Sequence, residues 1–266
     1  MTLANPKHIK NVPGRKTDMK DAEWIAQLGR CGLIQASYLP DLKVTELRLM
    51  TRRRQSYMQK RTQSKNELHN VLQRANIKLT GFLSDIFSKT GQALLGLFID
   101  GEVLTVERVQ ACMHGRVKAS AQDILMAMDG KLSGVNRRLL EDSLDEYRYY
   151  TKKIQIIEQE IEAYILKHFR QEYALLLELP GVKKQSAAVI LGEIGPHVEA
   201  FPTVGHLASW AGVSPGSNES AGKKKSSHTT QGNTYLKTTL ISSGGLAGRS
   251  RDPAFSSFYY RISANG

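Results

Sequence analysis

The sequence predicts a mainly α-helical protein, and three observations support that fold class. The segment Leu42 to Ala75 places apolar residues in a loose stripe at spacings of three and four. The segment Leu139 to His168 keeps the same spacing more strictly. Between them, residues 76–132 have the pattern of short helices separated by glycines. These patterns predict two long helices with several short ones between them.

The chain opens with a basic, turn-rich segment, residues 1–16, in which Pro and Gly mark turns. A helix is expected to begin at Thr17, a suitable N-cap followed by acidic residues. Asp18 and Asp21 lie three positions apart at this start, so both carboxylates fall on one helix face and could share a divalent metal. Two acids at a helix N-terminus are also explained by the helix dipole.

The first long segment is strongly basic. Between Lys43 and Arg74 stand nine Lys or Arg residues against two Glu. Such a face is often simply solvated, but the excess of one charge repels itself unless an anion neutralises it. We favour contact with a phosphate backbone. The candidate residues are Arg52, Arg53, Arg54, Lys60 and Arg61.

The second long segment has the spacing of a coiled-coil seam. From Leu140 to Tyr164, apolar and aromatic residues step by three or four over about three and a half heptads. The seam could pair with the first long helix or with a second copy of the chain, and we prefer the intramolecular antiparallel hairpin. The short helices between are expected at Leu79 to Ser88, Gly91 to Phe98, Thr105 to Met113 and Ser120 to Met128, with Gly101, Gly115 and Gly130 as C-terminal caps.

A helix–hairpin–helix-like unit is predicted at Leu175 to Gly195, where an apolar helix end, a Pro-Gly-Val turn and a lysine-led helix follow one another. In such units, amides at a helix N-terminus meet a DNA phosphate. Gly181, Lys183 and Lys184 would make that contact. A further helix is expected from Phe201 through a core Trp210, with Thr203 as its cap.

Val213 to Gln231 shows no apolar periodicity and is rich in hydroxyl groups. A long loop inside a compact chain is usually functional or disordered, and the flanking apolar helices favour a held loop. Lys223, Lys224 and Lys225 supply charge for phosphate, and Ser220 is a candidate nucleophile. Ser220 is otherwise one polar turn residue among several. No general base is assigned, because His228 could equally be a surface residue. A helix is expected from Gly232 to Ala247, followed by a basic, aromatic tail.

The bulk properties limit the possible partners. With 266 residues, the chain can bury a sizeable core, and its net charge of +12 points to nucleic acid first and an anionic membrane surface second. The sequence has no apolar run of about 18 residues and no signal peptide, which predicts a soluble, cytoplasmic protein. Cys31 and Cys112 lie far apart, which predicts reduced, buried thiols and no zinc site.

Two motifs carry a resemblance to a known family. The stretch L-A-S-W-A-G-V-S-P-G-S-N-E-S-A-G-K resembles the C-terminal motif of bacterial insertion-sequence transposases that pair four acidic residues with a catalytic serine and use a structured bridge RNA. The stretch G-R-K-T-D-M-K-D-A-E-W-I-A resembles their last acidic motif. The resemblance implies that Ser220 is the nucleophile. It also implies that Asp18 and Asp21 are the third and fourth Mg²⁺-binding carboxylates of an RNase H-like nuclease fold.

The resemblance also implies a domain order. Residues 1–40 would be the C-terminal remnant of the nuclease domain, 41–172 the coiled-coil linker and 173–266 a helical serine transposase domain. Because only seventeen residues precede Asp18, the chain is expected to lack most of the nuclease domain, with an incomplete C-terminus as well. The implied partners are DNA, a bridge-type RNA and a second copy joined through the coiled coil. The alternatives are a non-catalytic nucleic-acid-binding remnant or regulator, and a nuclease without covalent chemistry.

Overall fold

The computed structural model describes residues 21–34, 40–115, 117–216, 218–220, 223–226, 228–229 and 231–264. The predicted mainly α-helical class is confirmed. The α-helices are α1 (Asp21–Arg30), α2 (Leu42–Arg74), α3 (Lys89–Asp100), α4 (Val106–Cys112), α5 (Ala121–Ala127), α6 (Gly134–His168), α7 (Arg170–Glu178), α8 (Lys184–Ile194), α9 (Val204–Ala211), α10 (Thr234–Gly248) and α11 (Pro253–Ser263). Two short strands, β1 (Asn218–Ser220) and β2 (Lys223–Ser226), lie between α9 and α10.

Both long helices are present at nearly the predicted bounds. Helix α2 ends one residue before the predicted end, and α6 begins at Gly134, five residues before the predicted start at Leu139. The chain divides into two compact units, one formed by residues 52–160 and the other by residues 1–51 and 161–266. Both long helices contribute to both units. The three-part division based on the family resemblance stays a prediction.

In the unit of residues 52–160, α2 and α6 form the antiparallel hairpin that the seam predicted. The rings of Tyr57 and Tyr150 lie 6.2 Å apart, and the Ser64 hydroxyl donates to Glu146 at 2.8 Å. Residue numbers rise along α2 as they fall along α6, which is the signature of an antiparallel pair. The seam residues Leu140, Leu144, Ile154 and Ile157 are buried in this unit.

The short helices complete that unit's core. Helix α3 begins at the N-cap Ser88 and ends at Gly101 in the left-handed conformation, as predicted for Gly101. The cap predictions for the other two glycines were wrong, because the C-cap residue is Met113 in α4 and Met128 in α5. Gly130 instead allows a close approach, since a Cβ there would lie 2.3 Å from the carbonyl oxygen of Ala75.

The predicted helix at Leu79 to Ser88 was also wrong, because only a 3-10 turn at Leu79–Gly81 forms there. The carboxylate of Asp85 accepts from the amide of Phe87 at 2.9 Å. Short polar side chains that bond nearby amides compete with helix formation, which accounts for the early end. The apolar residues of this stretch, including Leu83 and Ile86, are nevertheless in the core as expected.

The unit of residues 1–51 and 161–266 is built around α8. Ile194 of α8, Ala211 of α9 and Leu236 of α10 form its apolar cluster. Helix α11 begins at Pro253, with Asp252 as its N-cap, and was not predicted beyond a basic, aromatic tail. Thr203 caps α9 as expected, because its hydroxyl accepts from the amide of His206.

Two burial predictions were wrong. Trp210 is 38% exposed, although its ring lies 5.3 Å from that of Phe201. Its indole therefore rests on one neighbouring ring at the surface instead of in the core. Cys31 and Cys112 are free, as expected for reduced thiols, but Cys31 is exposed. Thr17 and the apolar lead-in around Ile9 lie outside the described residues.

Candidate functional site

The segment predicted as an irregular loop contains a small β-hairpin. Strands β1 and β2 pair antiparallel, with Ser220 opposite Lys223 and Glu219 opposite Lys224. The register shifts between Asn218 and Glu219. The hairpin was not predicted because its residues are polar throughout and show no alternation of apolar and polar side chains.

Ser220 is the last residue of β1, so its backbone lies at the turn end of the hairpin. Lys223 is the first residue of β2 and is its cross-strand partner. The backbone pairing therefore brings the candidate nucleophile and the first of three consecutive lysines together. The predicted residues of this loop thus lie on one small element.

Backbone bonds close the foot of the hairpin, where the chain enters and leaves it. The amide of Gly216 donates to the carbonyl of His228 at 2.8 Å, and Pro215 forms a bridge with Thr229. Below them, the amide of Asn233 donates to the carbonyl of Trp210 at 3.0 Å. These bonds join the two ends of the predicted loop.

Two glycines permit this closure. A Cβ on Gly216 would lie 2.5 Å from the carbonyl oxygen of His228, and one on Gly232 would lie 2.3 Å from the amide nitrogen of Gly212. Such distances leave no room for a side chain beside backbone atoms. Helix α10 also supports the foot, because Lys237 Nζ donates to the Thr229 hydroxyl at 2.6 Å.

A buried carboxylate lies under this foot. Glu193, in the last turn of α8, has a side chain with 0% exposure. Its Oε2 accepts from Asn233 Nδ2 at 2.6 Å and lies 3.4 Å from Arg48 Nε. Asn233 is the residue at which the loop ends, and its Oδ1 caps α10.

The predicted helix–hairpin–helix-like unit consists of α7, a Pro-Gly turn and α8. Gly181 has φ of 81°, and a Cβ there would lie 2.2 Å from the carbonyl oxygen of Ser243 in α10. The backbone at Gly181 therefore packs directly against α10. At the start of α8, Lys183 is exposed and its side chain does not cap the helix. The first backbone amides of a helix have no acceptor within it, so those of α8 can donate to a bound group.

Lys184 differs from Lys183 because it already has a partner. Its ammonium donates to Glu162 Oε1 at 2.5 Å, and this hydrogen bond, with the charge of Glu162, raises the pKa of Lys184. Contact with a phosphate would compete with that pair. The amides at the start of α8 and the Lys183 ammonium are therefore the stronger phosphate-binding candidates here.

The candidate cations of α2 also differ in their surroundings. Arg54 Nε donates to Glu158 at 2.7 Å, so its charge is compensated within the hairpin. Arg53 is exposed, with its guanidinium 5.8 Å from the Tyr57 ring centroid, and Lys60 is exposed near Tyr150. Arg52 and Arg61 are half-buried. Arg53 and Lys60 are the most accessible of the predicted five.

The acidic pair is described only in part. Asp18 lies outside the described residues, and Asp21 is the first described residue of α1, so the metal-binding pair stays a prediction. Within the described part of the chain, no group of three or more His, Cys, Asp or Glu side chains is arranged to hold a metal ion.

Sequence reasoning missed the residues that support the loop, namely Arg48, Glu193, Asn233 and Lys237. One signal was available for Glu193, a lone acid within the apolar run V-I-L-G-E-I-G. A charged residue on an apolar helix segment is buried only when it is paired. The identity of its partners could not be read, because Arg48 and Asn233 are distant from it in sequence.

Comparisons with known proteins match two segments of the chain to transposase families. A family model described as "Transposase IS116/IS110/IS902 family" matches residues 173–260, and a model of the DEDD transposases of IS110, described as "Transposase", matches residues 1–77. Together the two segments cover more than half of the chain. The chain therefore belongs to the IS110 family of insertion-sequence transposases.

Within that family, the chain is similar to the "Insertion element IS110 uncharacterized 43.6 kDa protein" of Streptomyces coelicolor. The two are 27% identical over 282 aligned positions, which cover 96% of this chain. The chain spans 66% of the length of that curated relative. Among the described helices, none combines the length and the apolar character that a membrane span requires.

Proposed function

We propose that this chain is a DNA transposase polypeptide that binds DNA through phosphate contacts and exchanges strands through a covalent Ser220–DNA link. The observation that carries the proposal is the pairing of Ser220 with Lys223 at the turn end of the hairpin. The hairpin lies within the segment that matches the transposase family. Attack on a phosphodiester needs a nucleophilic hydroxyl and positive charge near the phosphate, and a serine and a lysine are residue types that can supply them.

The proposed step is a transesterification. Ser220 Oγ forms a bond to phosphorus, the bond from phosphorus to one deoxyribose oxygen breaks, and the serine proton passes by way of solvent to the departing oxygen. Lys223, Lys224 and Lys225 would stabilise the added negative charge on the phosphoryl oxygens. Attack by the hydroxyl of another strand then frees the serine and joins the new strand, so no phosphodiester bond is lost overall.

Substrate binding is proposed to use two groups of cations. Lys183, Lys184 and the first amides of α8 would contact phosphate at the helix–hairpin–helix-like turn. Arg53 and Lys60, with Arg52, Arg54 and Arg61 beside them, would contact phosphate along α2. Such contacts are independent of base sequence and weaken as salt rises.

Asp18 and Asp21 are proposed to contribute to a Mg²⁺ site. Two carboxylates supply fewer oxygens than this hard cation takes up, so further oxygen ligands would have to complete the site. We assign no step to the metal. The proposal also includes a structured bridge-type RNA, a second copy of the chain joined through the coiled coil, and action on DNA in the cytoplasm.

The second candidate is a nucleic-acid-binding regulator without catalysis. The net charge of +12 and the accessible cations of α2 favour it, because binding alone needs neither Ser220 nor the acids. Nuclease activity without a covalent intermediate is a third outcome. The three candidates differ in the role of Ser220, which attacks DNA in the first and has no chemical role in the other two.

A covalent-trapping assay tests the proposal. The chain is mixed with Mg²⁺ and DNA carrying the ends of the element, with and without RNA from its flanks, and denaturing gels are searched for a protein–DNA band. The band should disappear in Ser220→Ala and persist in Ser226→Ala, a serine of the same hairpin. Absence of the band with salt-sensitive binding intact would favour the regulator. Hydrolysis that survives Ser220→Ala would favour the nuclease.

A further inference from the structure

The Glu193 carboxylate is fully buried. A carboxylate removed from water is unfavourable unless charge and hydrogen bonds compensate it. Its contacts include Arg48 on α2 and Asn233 at the end of the loop, both in the same unit. Most residues of α8 around position 193 are apolar, and an apolar residue at that position would need neither contact.

Arg48 connects the carboxylate to the end of α8. Its Nε donates to the carbonyl of Gly192 at 2.9 Å, and its Nη2 donates to the carbonyl of Glu193 at 2.8 Å. These are carbonyls at the C-terminal end of a helix, where partners within the helix run out. Arg48 thus fixes the position of Glu193 as well as compensating its charge.

Asn233 uses both ends of its amide. Its Nδ2 donates to Glu193, while its Oδ1 accepts from the amides of Tyr235 at 3.0 Å and Leu236 at 3.1 Å. If the amide were reversed, its oxygen would face the carboxylate and its NH₂ would face the helix amides. The Glu193 carboxylate therefore selects the orientation in which Asn233 caps α10.

The backbone of the same residue closes the loop. The amide of Asn233 donates to the carbonyl of Trp210, at the end of α9, where the loop begins. Fixing Asn233 thus fixes both ends of the segment that carries Ser220. We propose that Glu193 is a positioning residue for Ser220, acting through Asn233. This inference rests on the proposed function of Ser220.

Exchanging donor and acceptor tests the idea. Asn233→Asp keeps an acceptor for the helix cap but places a second carboxylate against Glu193. Glu193→Gln with Asn233→Asp reverses the pair, because the introduced amide can donate to the introduced carboxylate. Ile194→Val is the matched control, since it trims the apolar cluster beside Glu193 without touching the polar contacts.

Two readouts separate positioning from loss of folding. Amide hydrogen exchange at Asn233 and Gly216 reports the foot of the loop, and the rate of covalent adduct formation at saturating DNA reports Ser220. In Asn233→Asp, we expect exchange to rise by about tenfold or more and the adduct rate to fall by about 10- to 100-fold, with DNA affinity retained. The double variant should recover both, and Ile194→Val should leave the adduct rate unchanged.

The outcomes are distinct. Unchanged exchange in Asn233→Asp, or no recovery in the double variant, would overturn the inference. An unchanged adduct rate despite faster exchange would also overturn it, as would an equal loss of rate in Ile194→Val. If the unmodified chain forms no adduct, the proposed function fails. The exchange data would then decide whether Glu193 holds the foot of the loop, the part of the inference independent of chemistry.

Discussion

Gly181 provides a test of how the α7–α8 turn is held. Its φ of 81° lies in the left-handed region, where an L side chain costs roughly 1–2 kcal/mol. A Cβ would also lie 2.2 Å from the carbonyl oxygen of Ser243 and 2.7 Å from the amide nitrogen of Ala247. Both are backbone atoms of α10, which cannot move without shifting the helix.

Gly181→Ala should therefore lower the free energy of unfolding by about 2–5 kcal/mol, the sum of backbone strain and about 1–3 kcal/mol for overpacking. The matched control is Gly32→Ala, because Gly32 has φ of 69° and no atom of the described residues lies within 4 Å of the place its Cβ would take. That change should cost no more than about 1–2 kcal/mol. The difference between the two variants isolates the overlap with α10.

Urea unfolding followed by tryptophan fluorescence is suited to this comparison. Both tryptophans of the chain, Trp24 and Trp210, belong to the same compact unit as Gly181 and Gly32. Equal losses in the two variants would refute the close packing of the turn on α10. The placement of the α8 N-terminus for phosphate binding would then lose its structural basis.

Three further predictions concern charge, pH and the core. Arg53→Ala should remove about one phosphate contact, which lowers the slope of log binding constant against log salt concentration by about 0.9. Arg54→Ala should lower that slope by less, because Glu158 already binds Arg54. Equal slopes for the two variants in a salt titration would contradict this. Burial, with a hydrogen bond to Glu46, raises the pKa of Tyr164 from 10.0 to about 12. The folded state thus favours the protonated phenol, so the stability that this group contributes below pH 10 should be lost as pH rises towards 12. Tyr164→Phe should lose less stability over that range. Urea unfolding of both proteins between pH 10 and 12 measures the difference. Leu236→Ala should lower the free energy of unfolding by about 2–5 kcal/mol by the same method, because Leu236 is fully buried in the apolar cluster with Ile194 and Ala211. A loss under about 1 kcal/mol would argue against that packing.

The long helices could be predicted from the sequence because their patterns are local and repeated. The spacing of the apolar seam was enough to identify the buried face of α6. Gly101 was identified as a helix C-cap from its position. Gly130 and Leu79 to Ser88 were predicted incorrectly for different reasons. The close approach of Gly130 to Ala75 joins residues far apart in the chain, which residue spacing does not reveal. The bond from the Phe87 amide to the Asp85 side chain is local, and it competes with the helix that the apolar spacing predicted.

The candidate site was predictable in part. Ser220 and the three lysines were identified from residue type and family motif, but their cross-strand pairing was not, since a polar hairpin lacks an apolar alternation. The support from Glu193, Arg48 and Asn233 joins segments far apart in the chain. A single sequence identifies the lone acid but not what it binds.

The hairpin gains little stability from its own residues. From Pro215 to Thr229 the sequence has no large apolar side chain, and an isolated two-stranded hairpin is marginal in water. Consecutive lysines add mutual repulsion, which a bound phosphate would relieve. The position of Ser220 must therefore come from the foot, where Gly216 meets His228 and Asn233 meets Trp210. Because Glu193 binds the Asn233 side chain, the element that carries the proposed chemistry depends in part on a buried carboxylate of α8.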